Sequence, residues 1–122
     1  MTKVLHRALD RVVLHVGDGE RQVVDPTDVY YLEAQDEDTL ARLRSATPLV
    51  DMRPLGELLP HFTTHGFLQI HREYVVNLRR LRLIRRRDEG RDWEVKLEPP
   101  VNRVLPVSRG ALADLWRAFG DK

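Results

Sequence analysis

Apolar residues in this chain fall in short runs that mostly alternate with polar ones, and turn formers separate the runs about every ten residues. Arg11-Val12-Val13-Leu14-His15-Val16 is strand-forming, and Gly17-Asp18-Gly19 behind it is a hairpin turn, with Arg21-Gln22-Val23-Val24 as the return strand. Asp25-Pro26-Thr27 breaks that strand, because proline removes a ladder donor. Val29-Tyr30-Tyr31-Leu32-Glu33-Ala34 is a third strand, followed by an acidic loop, Gln35-Asp36-Glu37-Asp38. Thr39 to Arg44 is weakly strand-like, and Pro48 to Met52 is another short strand.

Helical signals are fewer. Pro54-Leu55-Gly56-Glu57-Leu58-Leu59-Pro60 predicts one short helix bounded by its two prolines. Phe67 to Asn77 predicts one or two strands around a charged His-Arg turn. Leu81-Arg82-Leu83-Ile84-Arg85 and Trp93-Glu94-Val95-Lys96-Leu97 alternate cleanly on either side of a turn at Glu89-Gly90. Arg103 to Val107 is the last strand. Ser108 then caps a helix from about Arg109 to Phe119, in which Leu112, Leu115, Trp116 and Phe119 recur at helical spacing as core positions. Many short strands with minor helices indicate a β-sandwich or barrel-like fold.

At 122 residues the chain is one domain able to bury a core without staples. It has no cysteine, which excludes disulfides and thiolate metal sites and suits a reducing cytosol. No apolar run approaches the roughly 20 residues of a membrane span, and there is no signal-peptide core, so the expected location is the cytoplasm, away from membranes. Net charge is +1, but it is unevenly spread. Residues 1–65 carry 7 Lys and Arg against 11 Asp and Glu, whereas residues 66–122 carry 13 against 8. The basic residues of the second half are mostly arginine, including Arg72, Arg79, Arg80, Arg82, Arg85, Arg86, Arg87 and Arg91. A charge run is often no more than a solvated face. Planar guanidinium forks, however, suit phosphate and guanine recognition better than they suit solubility alone.

The stretch Phe67-Leu68-Gln69-Ile70-His71-Arg72-Glu73-Tyr74-Val75-Val76-Asn77 joins an apolar strand to a charged turn that can hold an arginine rigidly outside the core. Three features argue against other chemistries. His61 and His65 have zinc-chelating i, i+4 spacing, but Pro60 and Gly66 flank them and no third ligand is near. Ser45 and Ser108 stand in no nucleophile motif. No cofactor-binding motif is present, so an enzyme is not expected.

The same stretch resembles the signature of LytTR domains, F-x-R-I-H-R-S-Y-[IL]-V-N, found in DNA-binding effector modules of LytR/AlgR-type bacterial regulators. Val29-Tyr30-Tyr31-Leu32-Glu33-Ala34 resembles the family's I-x-Y-I-E-A strand, and Leu105-Pro106-Val107-Ser108-Arg109 matches L-P-V-S-R. Leu55, Leu58 and Leu59 lie where the family has S-L-x-x-L-x-x-x-L. The resemblance runs from about Val12 to Leu115. It implies a mainly β fold, an elongated arrangement of short antiparallel sheets with one short internal helix and a C-terminal helix. The expected organisation is an N-terminal extension and first strand over residues 1–20 and a LytTR-like domain over residues 12–119. The initial Met and the added residues favour a stand-alone regulator.

The resemblance implies that loops on one edge enter DNA grooves, with Arg72 and Arg109 as contacts. The family's third contact region, the loop after E-A, departs here, because Asp36, Glu37 and Asp38 repel phosphate, although a carboxylate can accept from cytosine N4. Glu73 replaces the usual Ser and either clamps an arginine or costs affinity. The expected DNA-binding set is His71, Arg72, Arg79, Arg80, Ser108 and Arg109, with Tyr74 and Asn77 as structural support. His71 suits a phosphate donor or a turn histidine bonded to backbone. Arg72 has a surface ion pair with Glu73 as its alternative. Arg79 and Arg80 fit phosphate clamps, Asn77 fits a turn, and Ser108 fits an N-cap. A positive Arg109 at a helix start opposes the helix dipole, which argues for a role outside the helix. The expected partner is double-stranded promoter DNA, bound by two copies as a homodimer or on paired sites. The rival is a protein-interaction module of the same fold that modulates another regulator through the acidic loop.

Overall fold

Four consecutive residues, Val29, Tyr30, Tyr31 and Leu32, are all buried, which a strand covered on one face cannot achieve. The computed structural model, which describes residues 10–87 and 90–121, accounts for this by placing them in a middle layer. Residues 1–9, the start of the expected N-terminal extension, and Glu89 of the expected turn lie outside the described residues. The strands are β1 (Val12–Gly17), β2 (Glu20–Val24), β3 (Val29–Gln35), β4 (Asp38–Leu43), β5 (Leu49–Asp51), β6 (Phe67–His71), β7 (Tyr74–Asn77), β8 (Leu81–Arg86), β9 (Trp93–Leu97) and β10 (Val104–Val107). The helices are α1 (Leu55–Thr63) and α2 (Arg109–Ala118). Among the described residues no helix is long and apolar enough to cross a membrane.

The strands form three antiparallel sheets: β1-β2, the five-stranded β5-β4-β3-β7-β6, and β10-β9-β8. The fold is therefore a set of short separate sheets, as the family resemblance implies, and not the closed barrel that the strand pattern alone admits. Val29, Leu32, Ala41, Phe67 and Val75 of the five-stranded sheet pack with β1, β2 and α1 in one core. Tyr30, Tyr31, Ile70 and Val76 pack with β9, β10 and α2 in a second. A bulge between Val29 and Tyr31 turns both tyrosines to the second core.

Local chemistry sets the boundaries. The β1–β2 turn uses Asp18 (φ 47°) and Gly19 (φ 77°), left-handed conformations that Asp and Gly adopt readily. The acidic loop is tighter than the sequence suggests. Gln35 pairs with Asp38, leaving Asp36 (φ 56°) and Glu37 as a two-residue turn. Helix α1 runs through Pro60 to Thr63 instead of stopping at the proline. The carbonyl that loses its donor belongs to exposed Gly56, where water can replace it, and the extra turn buries Phe62 edge-on against Phe67 (ring centroids 5.0 Å apart). Strand β8 does not alternate cleanly. A bulge between Leu81 and Leu83 aligns Leu81 with Leu97 and Ile84 with Val95 on one face. Pro106 is tolerated because β10 is an edge strand. In α2 Leu115 is fully buried and Leu112 and Trp116 partly so. Phe119, read from its spacing as core, is 50% exposed just past the end of the helix.

An ion pair beneath the surface ties the first hairpin to the middle sheet. Buried Asp51 accepts from Arg53 Nε (3.0 Å) and Nη2 (2.8 Å) and from the His15 N–H (2.7 Å), and Arg53 Nη2 also donates to the Val13 carbonyl (3.0 Å). Burial pushes the Asp51 carboxyl up. The donors from Arg53 and His15 outweigh that and hold it below the ordinary carboxylate range.

Candidate nucleic-acid interface

The charged turn of the sequence reading is the two-residue connection Arg72-Glu73 between β6 and β7, with His71 opposite Tyr74. Both turn side chains are exposed. Among the described residues Arg72 forms no ion pair, so the alternative of a surface pair with Glu73 is not realised. His71 Nδ1 accepts the Glu73 N–H (3.1 Å), which fixes the turn and leaves Nε2 as the ring's donor. The His71 ring packs against Tyr74 (centroids 5.7 Å apart), and Tyr74 meets Tyr31 edge-on at 6.4 Å. Tyr74 thus links the turn to the second core.

Ser108 and Arg109 arrive from a distant part of the chain. The Ser108 N–H donates to the Ile70 carbonyl at 2.7 Å, so the last residue before α2 is bonded to the strand that carries His71 and Arg72. Arg109 begins α2 and is exposed, as is Ser108. Ser108 occupies the N-cap position with extended backbone, yet its hydroxyl makes no capping bond, so the expected cap is positional only. Ser108 and Arg109 lie beside Arg91 and Asp92, just before β9. There Arg91, Trp93, Ser108, Arg109 and Leu112 line a cleft of about 80 Å³. The sequence showed Arg91 only as one of an arginine run. Its nearness to Arg109 follows from Trp93 pairing with Val107 across β9 and β10, which no local pattern reveals.

Arg79 and Arg80 lie elsewhere. They follow Asn77, at the opposite end of β7 from the Arg72 turn, and four strand residues rise about 10 Å between the ends. Arg80 is held internally: Nε and Nη2 donate to the Thr27 carbonyl (2.9 and 2.7 Å), Nη1 is 3.6 Å from Glu98, and Cζ stands 5.0 Å from the Tyr30 ring centroid. A guanidinium so engaged is a bracket between segments, which displaces the phosphate-clamp expectation for Arg80. Arg79 is exposed and borders a cavity of about 330 Å³ with Arg11, Asp25 and His65. Buried Asn77 donates to the carbonyls of Pro26 (3.2 Å) and Val29 (3.0 Å) and accepts the Arg79 N–H (3.0 Å), satisfying backbone groups that the strand end leaves open.

Other arginines of the run divide in the same way. Arg85 and Arg87 pair with Glu94, and Arg86 lies over Trp93 (5.7 Å to the centroid). The acidic turn, by contrast, is next to the Arg72 turn: the Ala34 N–H donates to the Glu73 carbonyl (2.9 Å), and Asp36, Glu37 and Asp38 are exposed.

Comparison with known proteins identifies the family and the fold. The family model for the LytTr DNA-binding domain matches residues 19–120. A solved structure described as the LytTr DNA-binding domain of a methyl-accepting/DNA response regulator from Bacillus cereus shares the fold. It has a TM-score of 0.72 at 19% identity, over 93% of this chain and 99% of that one. No curated protein sequence matches the chain. A family model that spans most of the chain, on a fold of the same kind, is decisive: the chain belongs to the LytTR family of DNA-binding domains.

Proposed function

We infer that this domain is a sequence-specific reader of double-stranded promoter DNA that regulates transcription in the cytoplasm, with two copies acting on paired sites. The observation that supports the reading is the bond from the Ser108 N–H to the Ile70 carbonyl, because it ties the segment that carries exposed Arg109 to the strand that leads into the exposed Arg72 turn. Arg72 and Arg109 read base edges, as rigidly mounted guanidinium forks can. His71 Nε2, the Ser108 hydroxyl and Arg79 hold phosphates, which fixes register without reading sequence. Arg80, Tyr74 and Asn77 position these groups from inside.

The experiment is selection of bound duplexes from random sequence, followed by gel shifts of the winner at two salt concentrations. Wild type is expected to retain a preferred sequence at the higher salt, and Arg72→Ala and Arg109→Ala each to lose part of that preference. Wild-type affinity in both variants would overturn the assignment. The acidic turn beside Arg72 favours one rival, a domain that docks a basic protein surface and modulates another regulator. A partner pull-down with no DNA shift even at low salt would favour that rival.

A further inference from the structure

We propose that a second copy of this chain docks head to tail, the face of its β4–β5 pair that carries Val50 and Asp38 seated in the apolar groove between β8 and α2. β8 ends the three-stranded sheet, so its outer side is an unpaired strand edge. Beside it Leu81, Arg82, Leu83, Ile84, Trp116 and Phe119 line a groove of about 310 Å³, with the Phe119 ring half exposed. The cation of this groove is Arg82, which is exposed and has no ion-pair partner among the described residues. Apolar surface under an unpaired arginine calls for an apolar partner with a carboxylate.

The same chain carries that complement. β5 is the last strand of the five-stranded sheet and is tied to β1 through the Met52 N–H and the His15 carbonyl (2.9 Å), but it exposes Val50 (42%) on its face, and Met52 beyond it is 59% exposed. Leu40 pairs with Val50, so Asp38, two residues before Leu40, faces the same side as Val50. Asp38 is exposed and forms no ion pair among the described residues, and Asp36 and Glu37 extend the acidic rim. The patches occupy different sheets and carry opposite charge. A copy can therefore join the next heterologously, while pairing either patch with itself sets like charges face to face.

The contact is short, since β5 has three residues, and belongs with weak, transient interfaces. On DNA it would act by effective concentration, joining copies on neighbouring sites. That consequence rests on the DNA-reading role given above, but the contact itself does not, and it is tested without DNA. Sedimentation velocity of the full chain is measured over rising protein concentration at low and high salt. Samples are wild type, Arg82→Glu, Asp38→Arg and an equal mixture of the two variants, with circular dichroism confirming that each is folded. Wild type is expected to associate at low salt and not at high salt. Each variant alone should associate about tenfold more weakly, because like charges then meet across the contact. The mixture should recover association, because Arg82 of one variant meets Asp38 of the other. Variants that associate like wild type, a mixture that stays monomeric, or a wild type that never associates would each overturn the proposal.

Discussion

The two ends of the five-stranded sheet carry similar residues to different purposes. At the end where Asn77 pairs with Phe67, polar groups turn inward: the Asn77 amide holds three backbone groups, and Arg80 brackets Thr27, Glu98 and Tyr30. At the end where His71 pairs with Tyr74, Arg72, Glu73, Asp36 and Glu37 all project outward, and Ser108 and Arg109 join them. An arginine's identity does not set its role. What matters is whether the fold offers carbonyls and carboxylates within its reach. The groups that turn inward should therefore fail by unfolding and those that turn outward by losing DNA.

The largest effect is expected from Asn77→Ala. It removes the amide from the Val29 carbonyl and the Arg79 N–H, while the Pro26 carbonyl keeps the Val29 N–H, and unmet buried groups cost about 1–3 kcal/mol each at most sites. A loss of about 3 kcal/mol in urea unfolding is expected, with DNA affinity of the folded fraction intact. Arg72→Ala and Arg109→Ala should do the converse, costing about 2 kcal/mol in affinity for the preferred duplex and leaving the urea midpoint in place. Equal loss of stability at both ends would erase the contrast.

Asp51 sharpens the comparison, because it lies near the outward end but on the buried face, opposite Thr39. Its folded pKa is depressed. The stability it contributes is therefore present above the unfolded carboxylate pKa and is lost as pH falls through the folded value. Asp51→Asn should cost about 2 kcal/mol at neutral pH and flatten the acid limb of the stability profile. A slope unchanged from wild type would mean that other carboxylates govern acid unfolding. Asp25, held down by the Thr27 N–H and hydroxyl, contributes in the same direction.

Arg79 and Arg80 form the closest test, being adjacent in sequence. Arg80→Ala is expected to lower stability by about 1 kcal/mol, modest because the site is only partly buried, and to leave the salt dependence of DNA binding alone. Arg79→Ala should leave stability alone and reduce the salt slope by about one unit. Exchange of these two outcomes would assign the inward and outward roles the other way round.

Much of this was legible in the sequence. Alternation and turn residues locate the strands, with Phe67–Asn77 left as one or two, and three motif blocks point to the fold. Asn77 read as a structural turn residue because its amide suits strand ends. The rest depends on which strands pair. Arg79-Arg80 reads as one doublet until β7 is seen to end beside Thr27. The bulges at Tyr30 and Arg82 shift facing without any local signal, and Pro60 is a poor helix stop only because Phe62 beyond it is wanted by the core. The acidic turn appeared as a neighbour of Glu33 and Ala34 in the chain. Its place beside Arg72 follows from the β3–β7 pairing.

That neighbourhood yields the smallest and most discriminating prediction. A carboxylate about 10 Å from a phosphate is repelled by roughly 0.4 kcal/mol in water before salt screening. At physiological salt the Debye length of about 8 Å removes most of that. Neutralising all three as Asp36→Asn, Glu37→Gln and Asp38→Asn should therefore raise affinity for random duplex only about twofold, with the gain vanishing at high salt. The preferred duplex should gain no more than random DNA, since pure repulsion does not depend on sequence. If the triple variant instead loses affinity for the preferred duplex alone, a carboxylate accepts from a base there. The acidic turn would then join Arg72 as part of the outward end's reading surface.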